Sequence, residues 1–279
     1  MCSFVINNIA YVFGGRDATT NTYKKDLFRF NVAAGTWTQM ASLPSYAISR
    51  RYAAAFAING KGYIATGEGN DVKLKDLWEF DPSIQPSGAW TQKANLPDTA
   101  RGRTAGFAIN GKGYVGLGLS QGHIHKDMWE YDPVTNTWLQ KADLPDEARA
   151  ATFVFVCNNK AYMGCGLHET TYLQRHDMWE YNPATNGWTQ KSDYPGLAHD
   201  SHFAWSNGYS GFVGGGIENE FVNDFWMYSP NIDTWTQKKD FPGYKRYGSL
   251  GFYVSSRGYA GFGVNSVYMS TNDLYRYDL

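Results

Sequence analysis

A chain of 279 residues with a formal charge of −1 carries no electrostatic footprint for nucleic acid or for an anionic membrane surface. No apolar run approaches the roughly 20 residues that span a bilayer, and the first residues lack the basic-then-apolar pattern of a secretory leader. With 16% aromatic residues and 30 glycines, the composition suits short strands and tight turns rather than helices.

In chain order, the first element carries Phe4, followed seven positions later by Tyr11 and four beyond that by Gly15. The same spacing returns at Phe56, Tyr63 and Gly67; at Phe107, Tyr114 and Gly118; at Phe155, Tyr162 and Gly166; at Trp205, Phe212 and Gly216; and at Phe252, Tyr259 and Gly263. Asn59-Gly60, Asn110-Gly111 and Asn158-Asn159 mark hairpin turns inside three of these copies. A variable loop then leads to an Asp (Asp26, Asp76, Asp127, Asp177, Asp224, Asp273) with aromatics at +2 and +4, read as a third strand. Five copies add a fourth strand with Trp37, Trp90, Trp138, Trp188 or Trp235, closed by Pro44, Pro97, Pro145, Pro195 or Pro242, since proline cannot donate to a ladder. Six such four-stranded meanders around an axis predict an all-β, six-bladed propeller. The sixth lacks its outer Trp-bearing strand. That predicts a trimmed product, or a three-stranded blade with an open edge that pairs or accepts a strand donated by a partner.

Three cysteines are too few for a disulfide framework, and Cys157 and Cys165 do not face each other across a turn at Asn158-Asn159. The recurrent glycine predicts close packing or a positive φ at the strand exit; no helix follows it to make a phosphate cradle.

Gly14-Gly15, Gly214-Gly215-Gly216, the aromatic pairs before Asp-Pro and the spaced tryptophans resemble Kelch repeats across essentially the whole chain. Four copies depart from the double glycine, with Thr66-Gly67, Leu117-Gly118, Cys165-Gly166 and Phe262-Gly263. The expected organisation is one domain, 1–279, with blades at approximately 1–44, 45–97, 98–145, 146–195, 196–242 and 243–279.

Strand order puts the connections between blades and the loops between second and third strands on one face. Thirteen residues before each second-strand aromatic stand Arg50, Arg101, Arg149, His199 and Arg246. Two readings compete: each Arg ties its loop to the recurrent Asp, or the group captures carboxylates at the channel mouth. The reading adopted is capture, with Arg50, Arg101, Arg149, Arg246, His199, His168, Glu68 and Glu218 as ligand contacts. The histidines, spread over loops of several blades, predict no metal site, and no cofactor is expected.

The resemblance extends to galactose oxidases in fold only, because their copper site needs tyrosine and histidine ligands and no Tyr-His dipeptide occurs here. The expected function is a module recognising an unidentified protein or glycan ligand, an acidic peptide or glycan, over the loop face. The alternative is a sugar-acid isomerase or mutarotase resembling N-acetylneuraminate epimerase. The W-T-Q-K and G-K-G-Y phrasing resembles bacterial Kelch proteins. It points to an extracellular, periplasmic or surface location if a leader has been removed.

Overall fold

A computed structural model describes residues 1–168, 175–196, 200–217 and 220–278. Their strands form six antiparallel sheets around an axis, each a meander from an inner to an outer strand. Blade 1 runs through Cys2–Ile6, Ile9–Asp17, Thr22–Asn31 and Thr36–Met40. Blade 3, typical of the set, runs through Ala105–Ile109, Lys112–Gly116, Met128–Asp132 and Thr137–Lys141. Blade 6 has three strands among the described residues: Leu250–Val254, Arg257–Gly261 and Leu274–Asp278.

The innermost strand of each blade lies against that of the next, and Cys2–Ile6 against Leu250–Val254 closes the ring. Ser3 Oγ donates to the Gly251 carbonyl at 3.1 Å, and the Ser255 amide donates to Asn8 Oδ1 at 2.6 Å across this seam. Small residues such as Ala55, Ala57, Gly106, Ala108 and Ala204 line a central channel of about 550 Å³. Six inner strands can converge only if the side chains facing the axis are short.

Alternation sends the other inner-strand residues into the layers between blades. There Phe56 stacks on Tyr63 with centroids 5.4 Å apart, and Tyr63 meets Tyr131 of the next blade at 5.9 Å. The buried phenols are not left unpaired: Tyr63, Tyr114 and Tyr162 donate to Glu79, Glu130 and Glu180 at 2.6, 2.6 and 2.7 Å.

The inner hairpins turn through two consecutive positive-φ residues, as at Asn59 (φ 48°) and Gly60 (φ 79°), which matches the twist of the flanking strands. The strand exits repeat this with a different demand. Leu117 (φ 57°) and Thr66 (φ 62°) occupy the first of two left-handed positions, whereas Gly118 (φ 97°) and Gly67 (φ 108°) occupy the second. A Cβ on Gly118 would lie 2.8 Å from the Gly102 carbonyl oxygen. Only the second position therefore demands glycine, which explains why four copies keep one glycine and not two. Cys157 and Cys165 are buried free thiols, and the register pairs Cys157 with Lys160.

Candidate functional site

The segment entering each blade pairs with the residue just beyond that blade's glycine. Arg51 bridges to Glu68, Gly102 to Leu119, Arg149-Ala150 to Leu167-His168, Asp200 to Ile217, and Arg246-Tyr247 to Val264-Asn265. These pairings bring both sets of loops to one end of the ring and place the recurrent arginines there.

Arg50, Arg101, Arg149 and Arg246 are all buried, with at most 1% of their surface accessible. Arg50 holds both carboxylate oxygens of Asp76, at 2.5 and 2.8 Å, and donates to the carbonyls of Thr66 and Ile48 at 3.1 Å. Arg101 grips Asp127 in the same bidentate way and also reaches Asp98. Arg149 bonds Asp177 at 3.0 and 2.8 Å and Asp146 at 2.7 Å. Arg246 holds Asp273 and lies 4.7 Å over the Phe241 ring. Three of these aspartates also accept the indole N–H of the tryptophan two residues on: Asp76 from Trp78 at 2.6 Å, Asp127 from Trp129 at 2.6 Å and Asp177 from Trp179 at 2.7 Å.

Burial alone would push the Asp177 carboxyl up, but the Arg149 guanidinium holds it below the ordinary carboxylate range; Arg246 does the same for Asp273. Each bound to its recurrent Asp, and Arg50, Arg101 and Arg246 also to carbonyls, the four guanidinium groups sit in the walls of the mouth and not at its surface.

Glu68 lies between Arg51 and Lys73, bonding Arg51 Nε at 2.9 Å and also Lys73. Burial opposes its ionisation, yet Lys73 and Arg51 keep the carboxyl below its usual value. His168 is buried against Glu147, which Arg175 also contacts. His199 and Glu218 lie outside the described residues. Among the described residues, the geometry does not gather Arg50, Arg101, Arg149, Arg246, Glu68 and His168 into one accessible pocket.

What lies at the surface is the next pair of positions. Two residues after each recurrent Arg or His, the chain takes a positive φ: Tyr52 (56°), Arg103 (57°), Ala151 (59°), Ser201 (59°) and Gly248 (63°). These residues all line the mouth of the channel. Three are small, whereas Tyr52 and Arg103 are large. The Tyr52 ring is clasped by two guanidinium groups, Arg51 at 4.6 Å and Arg103 at 4.7 Å from its centroid.

The side chains of Arg51 and Arg103 remain 26% and 24% exposed. Arg103 lies 3.8 Å from the Asp200 carboxylate, and Arg103 Nε is buried without a hydrogen-bond partner among the described residues. Beside this clasp a cavity of about 250 Å³ opens between blades 1 and 6, lined by Arg16, Lys24, Arg51, Tyr52 and Tyr247. Tyr247 stacks on Phe221 at 5.4 Å, and Phe221 meets Tyr268 edge-on at 5.6 Å, which continues an aromatic rim. The sequence signal for this cluster was a break in the repeat: large residues at a position that is otherwise small.

A second groove, of about 680 Å³, is lined by Asp98, His123, His125, Asp127, Glu147 and His168. Asp98, His125 and Asp127 bring ligand atoms close enough for a cation. Arg101, however, engages both carboxylates, and burial and Arg101 together lower the His125 pKa. A guanidinium already holds the charge that a metal ion would balance.

Residues 1–148 match the KLHDC2/KLHL20/DRC7 Kelch-repeats domain. Kelch domain-containing protein 3 of Homo sapiens is 25% identical over 147 residues, 48% of this chain and 37% of that protein. The Bos taurus and Rattus norvegicus proteins of the same name are each 24% identical, over 147 and 143 residues. The match thus spans little more than a third of these relatives' length, 36% to 37%. Six sheets closed in a ring, a repeated glycine exit and a family match over more than half the chain converge: the protein belongs to the Kelch-repeat β-propellers of the KLHDC2/KLHL20/DRC7 type.

Proposed function

We propose that the propeller is a protein-recognition module that takes an acidic peptide segment across its loop face, with Arg51, Arg103 and Tyr52 as the contact residues. Kelch propellers are typically protein-binding modules, and the finer assignment rests on one observation. Arg103 presents a partly exposed guanidinium at the channel mouth, 3.8 Å from the Asp200 carboxylate and with no hydrogen bond to Nε among the described residues. The exposed part of that guanidinium can take a ligand carboxylate in charge-assisted hydrogen bonds. The neighbouring Arg51, Arg16 and Lys24 extend the positive field, and Tyr52 and Tyr247 offer flat apolar surface to the peptide between its charges. Arg50, Arg101, Arg149 and Arg246 support this reading as rigid walls and make no ligand contact in it.

Binding of a fluorescein-labelled glutamate-rich peptide, followed by anisotropy, tests the assignment. Arg103→Ala and Arg51→Ala are each expected to weaken it roughly tenfold, and added salt to weaken it further. Binding that ignores both substitutions, or preference for a uronic-acid oligomer over every acidic peptide, overturns it.

A further inference from the structure

Third-strand tryptophans recur at Trp78, Trp129, Trp179 and Trp226, two residues after the recurrent Asp. Their surroundings differ between blades 2 and 3. Trp78 is buried, with the centroid of the Tyr46 ring 5.8 Å from its own. Tyr46 comes from the connection entering blade 2, where five residues separate Pro44 from Arg50. Entering blade 3, three residues separate Pro97 from Arg101, and none of them is aromatic. The shorter connection leaves Trp129 half-buried in the wall of the groove of about 680 Å³ between blades 3 and 4. That volume falls within the range of about 300–1,000 Å³ typical of clefts for small ligands.

Polar groups surround the ring. Gln140 stands directly opposite Trp129 in the fourth strand, so both side chains leave the sheet on the same side. Gln140 and Asp143 are exposed, and Glu147 on the far wall is half exposed. The charges are largely balanced from within. Arg101 binds Asp98 and both oxygens of Asp127, His168 and Arg175 contact Glu147, and the exposed Lys126 offsets Asp143. A further cation would meet carboxylates that are already engaged, whereas an ion-paired carboxylate keeps lone pairs for hydroxyl donors. An indole face rimmed by acceptors and an amide, with little net charge, matches a ligand that is apolar on one flat side and hydroxylated around its edge.

We propose that this groove binds a neutral oligosaccharide. One pyranose lays its C–H face on Trp129, while its hydroxyls bond the Gln140 amide and the Asp143 and Glu147 carboxylates. The groove shares no residue with the Tyr52 clasp, and the proposal does not depend on the acidic-peptide reading.

Calorimetry and saturation-transfer NMR with cellotriose, triacetylchitotriose and β-1,4-galactotriose provide the test. Expected are saturable binding of at least one of the three, strongest transfer to the ring C–H protons of a single sugar unit, and an affinity that added salt leaves unchanged. Trp129→Ala is expected to weaken binding roughly tenfold or more, and Trp129→Phe less, because the ring supplies stacking area. Trp129 also donates to Asp127, so Gln140→Ala provides a variant at the surface: a severalfold loss of affinity with an unchanged Tm is expected. Arg103→Ala should leave the sugar affinity as it is. Absence of binding by all three sugars, binding that survives both Trp129→Ala and Gln140→Ala, or salt-dependent displacement of the sugar by tetralysine, which would make the groove a cation site, would each overturn the proposal.

Discussion

At the residue scale, the recurrent arginine is a structural tie whose strength depends on its partner staying ionised. Arg149 is buried and shared between Asp177 and Asp146, so Arg149→Met leaves two carboxylates without their cation and is expected to cost about 3–5 kcal/mol at neutral pH. The Asp177 carboxyl is held below its ordinary value in the folded protein. Its contribution is therefore complete above the unfolded carboxylate value of about 4 and is lost as pH falls through the lower folded value. Urea melts across the acid range should show the parent and Arg149→Met converging below about pH 4. A stability gap that stays constant through that range would show that the pair does not carry the difference. Arg103, two positions after the recurrent Arg101, differs because its one ion pair among the described residues is with Asp200 of another blade, at 3.8 Å.

At the scale of the element, each second strand ends in two left-handed residues, and the two differ in what they tolerate. Gly118→Ala puts a Cβ 2.6 Å from Thr104 Cγ2 and 2.8 Å from the Gly102 oxygen at a φ of 97°, and is expected to cost about 1–3 kcal/mol. Gly35, at a φ of 64° in the turn of blade 1, has open space around it, and blades 3 and 4 place Asn136 and Asn186 at the same point. Gly35→Asn is expected to change stability by less than about 0.5 kcal/mol. Thermal melts of the two variants side by side check this; equal losses would mean that the local φ, and not the contact with the segment entering the blade, governs the exit. The hairpin turns behave in the same local way. Asn-Gly was readable from sequence, whereas Ser255 and Ser256 adopt the same left-handed pair without a turn signature, bonded across the seam to Asn8.

At the scale of the molecule, the ring closes between blades 6 and 1 by packing and a few hydrogen bonds. The cluster of Ala10, Val12, Phe30, Leu250, Phe252 and Tyr259 fills the same inter-blade space that covalently successive blades fill elsewhere. Asn8→Ala removes the acceptor of the Ser255 amide and is expected to lower stability by about 1 kcal/mol. Amide exchange should quicken in Cys2–Ile6 and Leu250–Val254 more than in the inner strand of blade 3, because Asn8 bonds directly across this seam. Uniform acceleration around the ring would instead mean that the propeller opens only as a whole.

Repeated aromatics, glycines and turn residues determine the strands, their order in a blade and the number of blades, because each of these follows from local φ preference and period-two burial. The face that collects the arginines follows from strand order. Where those side chains point does not: only the blade register brings Asp76, Asp127, Asp177 and Asp273 within bidentate reach of Arg50, Arg101, Arg149 and Arg246. A one-dimensional pattern contains both charges but not the distance between them. The Tyr52 clasp is a sharper case, since its two guanidinium groups enter with different blades and meet through the curvature of the ring. Local periodicity decided the fold, and tertiary geometry decided which cations are consumed inside it and which stay partly exposed at the mouth.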